Sequence, residues 1–349
     1  MLVTTAGTIV GQGIIKALKL ANSSSNEKSS YRIISADMSA EAAGLYRSDL
    51  GLLVPPISSQ DYLDSIIDIC KDENVRAIFI GADEELLLMA SSSGKIERET
   101  GAIVITNPVD VISVCSDKWK TMEFLRKNNL PCPRSALNED KEQFLSKSGF
   151  PVIVKPREGH GSVHLYIANS REEVERAFSE IKKFGWRPMI QEYVPAENQE
   201  FTVGVTVDKE RKYVMSSIAI RRTLNAGQTY KAFIDDYPDV RRTAEAVALK
   251  IGARGPINIQ GRLYEDKLKI FEINPRFSAS CPIRAVANVN EPDIVFRNEV
   301  MNEKITLKEY RKMVCFRYWN EVYLPYDAFE RASNEGRISN SSSFIPDYF

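Results

Sequence analysis

A parallel α/β domain followed by an α+β region in two lobes is the fold class this sequence predicts, and three observations predict it. Over the first third, the apolar runs "MLVTTAG", "YRIISAD", "VRAIFIGAD" and "GAIVITNP" alternate with stretches of helix length. Strands spaced that way pair in parallel through crossover helices. From about residue 113 the strands come in blocks instead, from "PVIVKP" through "HLYIA", "PMIQEYV", "EFTVGVTVD" and "YVMSSIAIRR" to "GPINIQGRLYED" and "KLKIFEINP". Adjacent strands joined by short turns make antiparallel hairpins. The composition is that of an ordinary globular chain, 43% hydrophobic and 27% charged over 349 residues, which is long enough for about two or three cored domains.

Taken in order, the first strand leads into a helix from about Val10 to Leu20, and the polar "NSSSNEKSS" follows as a loop. The turn "AGTIVGQG", with Asp37 ending the second strand, hints at a dinucleotide site, but its glycines are spaced G-x-x-x-G-x-G rather than G-x-G-x-x-G. Asp83, Glu84 and Glu85 follow the third strand; a helix N-terminus accounts for them, and a substrate amine is the other reading. Ser116 or Asp117 caps a helix through Lys127, and "LPCPR" ends it. Helices at 171–184 and 238–251 interrupt the later strands, and "KMVCFRYWNEVYLP" reads as one last strand before a partly mobile tail from 326.

The formal net charge of −1 selects neither nucleic acid nor an acidic membrane surface as partner. Cys70, Cys115, Cys132, Cys281 and Cys315 form no C-x-x-C pair, so they are expected as packing residues rather than a disulfide framework. The amino terminus lacks the pattern of a signal or anchor and no apolar run has spanning length, so a cytoplasmic protein is expected.

Several constellations suit one chemical task. Lys155 ends a strand, and Gly159, His160, Gly161 and Ser162 follow as a small turn-prone loop whose amides can cradle phosphates; an ordinary hairpin turn fits as well. In "MIQEYVPAENQE" a strand end can read an adenine edge and Glu200 can accept from ribose hydroxyls, although alone the stretch reads as an exposed charged hairpin. Gln260, Glu272 and Asn274 offer hard oxygen ligands, which suit Mg²⁺ when phosphates and waters complete its shell. Glu272 and Asn274 are two apart on one face of a strand that Pro275 ends, and Arg276 beyond them can neutralise a transferring phosphoryl group. His160 and His164 are the only histidines and do not make a metal site.

On "SDKWKTMEFLRKNNLPCPR", "GFPVIVKPREGHGS", "QEYVPAENQEFTV", "INIQGRLYED" and "FEINPRFSAS", residues from about 113 to 300 resemble the ATP-grasp superfamily, most closely the half-module of carbamoyl-phosphate synthase large chains. The first third is similar to the family's Rossmann-like preATP-grasp domain. The resemblance implies a division into 1–112, a small lobe 113–189, a large lobe 190–325 and a tail 326–349. It implies that Lys118 and Lys155 contact ATP phosphates under the 159–162 loop. Glu192, Tyr193 and Val194 would hold adenine and Glu200 the ribose. Gln260, Glu272 and Asn274 would hold two Mg²⁺ ions, with Glu272 bridging and Mn²⁺ able to substitute, and Arg276 would stabilise the phosphoryl group.

The activity implied is a ligase joining a small-molecule carboxylate to an amine through an acyl phosphate, with release of ADP and phosphate, in a chain expected to form a homodimer. Phosphorylation of a small carboxylate or carbamate, or a silent ATP-binding regulator, are the alternatives. Two departures fall where the substrate would sit: "FSASCPIRA" follows the "NPR", and in "NAGQTYKAF" Gln228 replaces the family's histidine. Arg221, Arg222 and Lys231 are candidates for a substrate carboxylate there, a solvated basic loop being at least as good a reading of any one of them, and Arg284, on the segment after the "NPR", is a further candidate.

Overall fold

The computed structural model describes residues 1–24, 30–159, 163–195, 199–318, 320–339 and 343–346. The chain opens with a parallel sheet of β1 (Leu2–Val3), β2 (Ile34–Asp37), β3 (Leu50–Leu53), β4 (Ala77–Phe79) and β5 (Ile103–Ile105). Helices α1 (Ile9–Ser24), α2 (Tyr62–Asp72) and α3 (Leu86–Thr100) connect them. Alternation within the strands sends Val3, Ala77 and Phe79 to one face and Leu2, Ile34 and Ile78 to the other, so that both faces are buried. At the first turn, the Gly7 amide donates to Asp37 Oδ2 at 2.8 Å and the Ser39 amide to Oδ1 at 3.1 Å. A Cβ on Gly7 would lie 2.9 Å from that of Ala42. Asp37 thus closes the turn on itself, and the dinucleotide reading finds no support in it.

Helices α4 (Val109–Cys115) and α5 (Lys118–Lys127) lead to the small sheet. Asp117 caps α5, accepting from the Trp119 amide at 2.9 Å, and Arg126 and Lys127 complement its C-terminal end. The small sheet holds β6 (Ser135–Ala136), β7 (Val152–Pro156), β8 (Tyr166–Ala168) and β9 (Pro188–Glu192), in the order β6-β9-β7-β8, all antiparallel. With α6 (Lys141–Ser148) and α7 (Arg171–Lys183) it encloses a core of its own around Val152, Val154, Phe178 and Ile190.

The large sheet is built from β10 (Glu200–Val207), β11 (Val214–Asn225), β12 (Gln228–Ile234), β13 (Gly255–Tyr264), β14 (Lys267–Asn274) and β15 (Met313–Phe316), ordered β14-β13-β10-β11-β12-β15. Helix α8 (Pro238–Ile251) starts on a proline, ends at left-handed Gly252 (φ 77°), and covers one face with α5. Helices α9 (Cys281–Val286) and α10 (Glu291–Met301) cover part of the other. Their residues Cys281 and Val295 share one apolar cluster with Ile218 and Ile220 of β11, with Ile14 and Leu18 of α1 and with Phe79 of the first sheet. Each such fully buried side chain contributes about 1.5–3 kcal/mol, so the first and large sheets are joined through their interiors.

The tail expected from residue 326 is instead folded over Tyr326–Ser339. Helix α11 (Tyr326–Glu335) ends at left-handed Gly336 (φ 69°), and β16 (Arg337–Ser339) pairs antiparallel with β3 as the edge of the first sheet. The physical reason is an open strand edge: β3 offers unpaired amides and carbonyls, and Ile338, 3% exposed, fills the apolar hollow beside it. Among the described residues no helix is long and apolar enough to cross a membrane.

Candidate functional site

One cavity of about 640 Å³ lies where the small sheet, the cavity face of the large sheet and the first sheet's carboxyl-end turns meet. Lys118, Lys155, Gly159, Glu192, Tyr193, Val194, Glu200, Gln260, Glu272, Asn274 and Arg276 all line it. His160, Gly161 and Ser162 lie outside the described residues. The convergence follows from strand periodicity: Glu200 on β10, Gln260 on β13 and Glu272 and Asn274 on β14 project from the face opposite the α8 core.

Lys155 is 5% exposed at the end of β7, and its Nζ donates to Gln191 Oε1 at 2.9 Å and to the Phe271 carbonyl at 3.5 Å. Burial first, then the charge of Lys118, lowers its ammonium to about 7. Lys118 Nζ in turn donates to the Gly159 carbonyl. The charges of the two lysines therefore oppose each other beside Gly159, an arrangement that a polyanion between them would relieve.

At and past the end of β9 the backbone is partly committed. The Glu192 amide donates to the Arg134 carbonyl at 2.9 Å, and the Val194 carbonyl accepts from Arg262 Nη1 at 3.1 Å. The Glu192 carboxylate is held by Arg134 at 2.6 Å and Lys269 at 3.6 Å. Glu200 is gripped from both neighbouring strands, by Arg222 at 3.1 Å and by Arg262 at 3.2 Å.

Gln260, Glu272 and Asn274 give one carboxylate and two carboxamides on paired strands, with Gln260 opposite Glu272 and Asn258 opposite Asn274. This all-oxygen set fits a hard cation that shares its shell with phosphate, and offers nothing to a soft one. Among the described residues no cluster of three or more His, Cys, Asp and Glu side chains is placed to hold a metal without such help.

Arg276 carries the largest surprise. Its guanidinium meets the Asp83 carboxylate twice, Nε to Oδ1 and Nη2 to Oδ2, each at 2.7 Å. Asp83, Glu84 and Glu85 do stand at the start of α3, as their helix-terminus reading expects, but they diverge in role. Asp83 and Glu84 line the cavity, whereas Glu85 is buried behind it, where the hydroxyls of Thr4 and Tyr62 donate to it and burial raises its carboxyl above the ordinary range.

Residues 115–280 match the family described as the ATP-grasp domain, and residues 1–105 match the PylC-like N-terminal domain. Residues 115–280 thus form an ATP-grasp domain. It is 24% identical over 282 residues to the carbamoyl phosphate synthase large chain of Helicobacter pylori, covering 76% of this chain and 26% of that one. To the carbamoyl-phosphate synthase of Methanobrevibacter smithii it is 27% identical over 228 residues, covering 61% and 60%. The chain thus spans between about a quarter and three-fifths of these relatives' lengths. By fold it is similar to biotin carboxylase from Campylobacter jejuni (TM-score 0.67, 17% identity, 86% of this chain and 70% of that). It is equally similar to N5-carboxyaminoimidazole synthetase from Staphylococcus aureus complexed with ADP (TM-score 0.68, 14% identity, 96% and 85%).

Of the candidates for a substrate carboxylate, Arg222 lines the cavity, and Gln228 lines it beside them. Arg221 sits on the opposite sheet face, its guanidinium 4.4 Å from the Phe233 ring centre. Lys231 is exposed and does not line the cavity. Arg284 is completely buried, bonded to Glu291 at 3.0 Å and to Asn258 at 2.7 Å, so it is a core ion pair rather than a ligand for substrate. Asp83 faces the cavity, as the second of its two sequence readings has it, from a place after a parallel strand's carboxyl end where such sheets bind ligands, whereas sequence reasoning missed the Thr8–Val10 stretch as cavity residues.

Proposed function

We propose that this chain is an ATP-dependent ligase that joins a small carboxylic acid to an amine, passing through an acyl phosphate and releasing ADP and phosphate. The observation that carries the proposal is the convergence of two lysines, an oxygen ligand set and Arg276 on one cavity whose far wall comes from the first domain. The names of the similar proteins, carbamoyl phosphate synthase, biotin carboxylase and N5-carboxyaminoimidazole synthetase, support it as a reaction class.

In this reading Lys118, Lys155 and the loop from Gly159 hold the polyphosphate, Tyr193 and Val194 face the base, and Glu200 receives the ribose. Gln260, Glu272 and Asn274 are the residues to hold Mg²⁺, or Mn²⁺ in its place, which when bound would neutralise the phosphates. Arg276 draws charge from the γ-phosphoryl oxygens while the substrate carboxylate oxygen bonds to phosphorus and the bond to ADP breaks. The amine nitrogen then bonds to the acyl carbon and phosphate leaves with its electron pair. Positioning and charge supply the acceleration, and each preorganised contact is worth on the order of 10²–10³ in rate. A cytoplasmic setting, where ATP is abundant, accompanies this reading.

The test is ADP release with Mg-ATP across a matrix of carboxylates and amines, with product masses measured. ADP formed only with a particular pair, and a mass equal to acid plus amine minus water, is the expected result. ADP with acid alone would leave a kinase, and a chain that binds ATP but turns over with no pair would return the regulator.

A further inference from the structure

On the cavity face of the large sheet, four neighbouring strands place charged and amide groups in a row. Glu200 on β10 lies opposite Arg222 on β11 and opposite Arg262 on β13, while Gln260, two residues before Arg262, lies opposite Glu272 on β14. Arg222 is 7% exposed and reaches along this row. Its Nη2 donates to Gln260 Oε1 at 2.8 Å and to Glu200 Oε1 at 3.1 Å, and its Nη1 donates to Thr229 Oγ1 at 3.3 Å. Partners on β10, β12 and β13 therefore fix one guanidinium from three sides. Its Nε is buried and makes no bond among the described residues, so nothing on that side draws the group away from Gln260.

We propose that Arg222 occupies the cation position on the Gln260 side of the phosphate platform, so that the nucleotide is bound with one divalent ion, held by Glu272 and Asn274, instead of two. The inference rests on the nucleotide reading above, takes Gln260 out of that reading's metal ligands, and replaces the pair of ions that the family resemblance implies. A carboxamide oxygen is a neutral and weak ligand, and here it already accepts from a group that keeps its charge at every physiological pH. A second divalent ion on that oxygen would stand beside a like charge that cannot deprotonate to make way for it. The ligand set could not offset the repulsion, because Glu272 is the single carboxylate among Gln260, Glu272 and Asn274. The planar guanidinium, by contrast, presents donors toward the cavity's polyanion at no cost in metal desolvation.

The experiment counts ions. With the chain in excess over adenosine 5′-(β,γ-imido)triphosphate, Mn²⁺ is titrated and the free ion is followed by electron paramagnetic resonance. One Mn²⁺ per bound nucleotide is expected for the wild type, and two of comparable affinity would overturn the proposal. Arg222→Gln is expected to raise the count to two, whereas Arg222→Lys, which keeps a cation, is expected to hold it at one. A folded Arg222→Gln chain that still takes a single ion would show that the guanidinium is not what excludes the second. Should that variant not fold, the wild-type and Arg222→Lys counts decide. Failure of the nucleotide analogue to bind at all would overturn the ligase reading itself, separately from the count.

Discussion

Asp83 and Arg276, 193 residues apart in the chain, meet in a two-pronged ion pair with both bonds at 2.7 Å. The acid comes from the first domain and the base from the end of the large lobe's last platform strand. The side chains are 26% and 12% exposed, so the pair is largely withdrawn from solvent and tightly oriented. One consequence is that the first domain aims the group assigned to the phosphoryl transfer.

Asp83→Ala should therefore lower turnover by roughly 10–100-fold while changing KM for ATP little, because Arg276 stays present but loses its aim. Stability should fall by about 2–3 kcal/mol, the cost of leaving a part-buried guanidinium unpaired. Steady-state kinetics and urea unfolding check both, and a changed KM with unchanged kcat would remove the positioning role.

Glu272→Gln retains the shape of the strand end but removes the only carboxylate of the ligand set. Turnover should fall by at least about 10²-fold. The melting temperature should move by no more than about 4 °C, the shift expected of ~1 kcal/mol. Wild-type ADP release from the folded variant would sink the ligand assignment.

Lys155 makes the free chain's stability depend on pH. Burial, followed by Lys118, holds the folded chain's ammonium at about 7 against an ordinary 10.5. Between those values the unfolded chain binds a proton that the folded chain lacks, so stability rises with pH across this window, by up to about 1.4 kcal/mol per unit. Below pH 7 that contribution is absent. A polyphosphate restores the proton, so nucleotide binding at pH 8.5 should take up about one proton. Calorimetry in two buffers of different ionisation enthalpy measures this, and Lys155→Met should abolish it.

Ile338→Asp should cost about 2–4 kcal/mol by burying a carboxylate at the edge of the first sheet. Chemical denaturation reads the loss directly. A neutral outcome would mean that β16 does not hold its place against β3 in solution.

The shared face of Glu272 and Asn274 was legible because its signal is local. "FEINPR" alternates with period two, so residues that must share a face declare themselves, and Asp117 announces a cap next to the helix it serves. Asp83 was not legible in the same way. A helix start gives an acid sufficient reason to be there, and nothing nearby in the chain points to a partner 193 residues on. Arg284 reads from its place after "NPR" as a cation for substrate, and only the fold, which sets Glu291 beside it in a solvent-free interior, makes it a core residue. β3 and β16 span four and three residues, too short for periodicity to separate them from the turns around them, and only the unpaired edge of one explains the other.

The single apolar cluster joining the first and large sheets has a mechanical consequence. Phe79, Ile218 and Val295 lie in that cluster, so the wall bearing Asp83 and the strand end bearing Arg276 behave as one anvil. The small sheet rests on a separate core, around Val152 and Phe178. The smaller body carries Lys155 but not Arg276. In the proposed ligase, that division lets the lysine's sheet shift against its neighbours while the pairing of Asp83 with Arg276 keeps its shape.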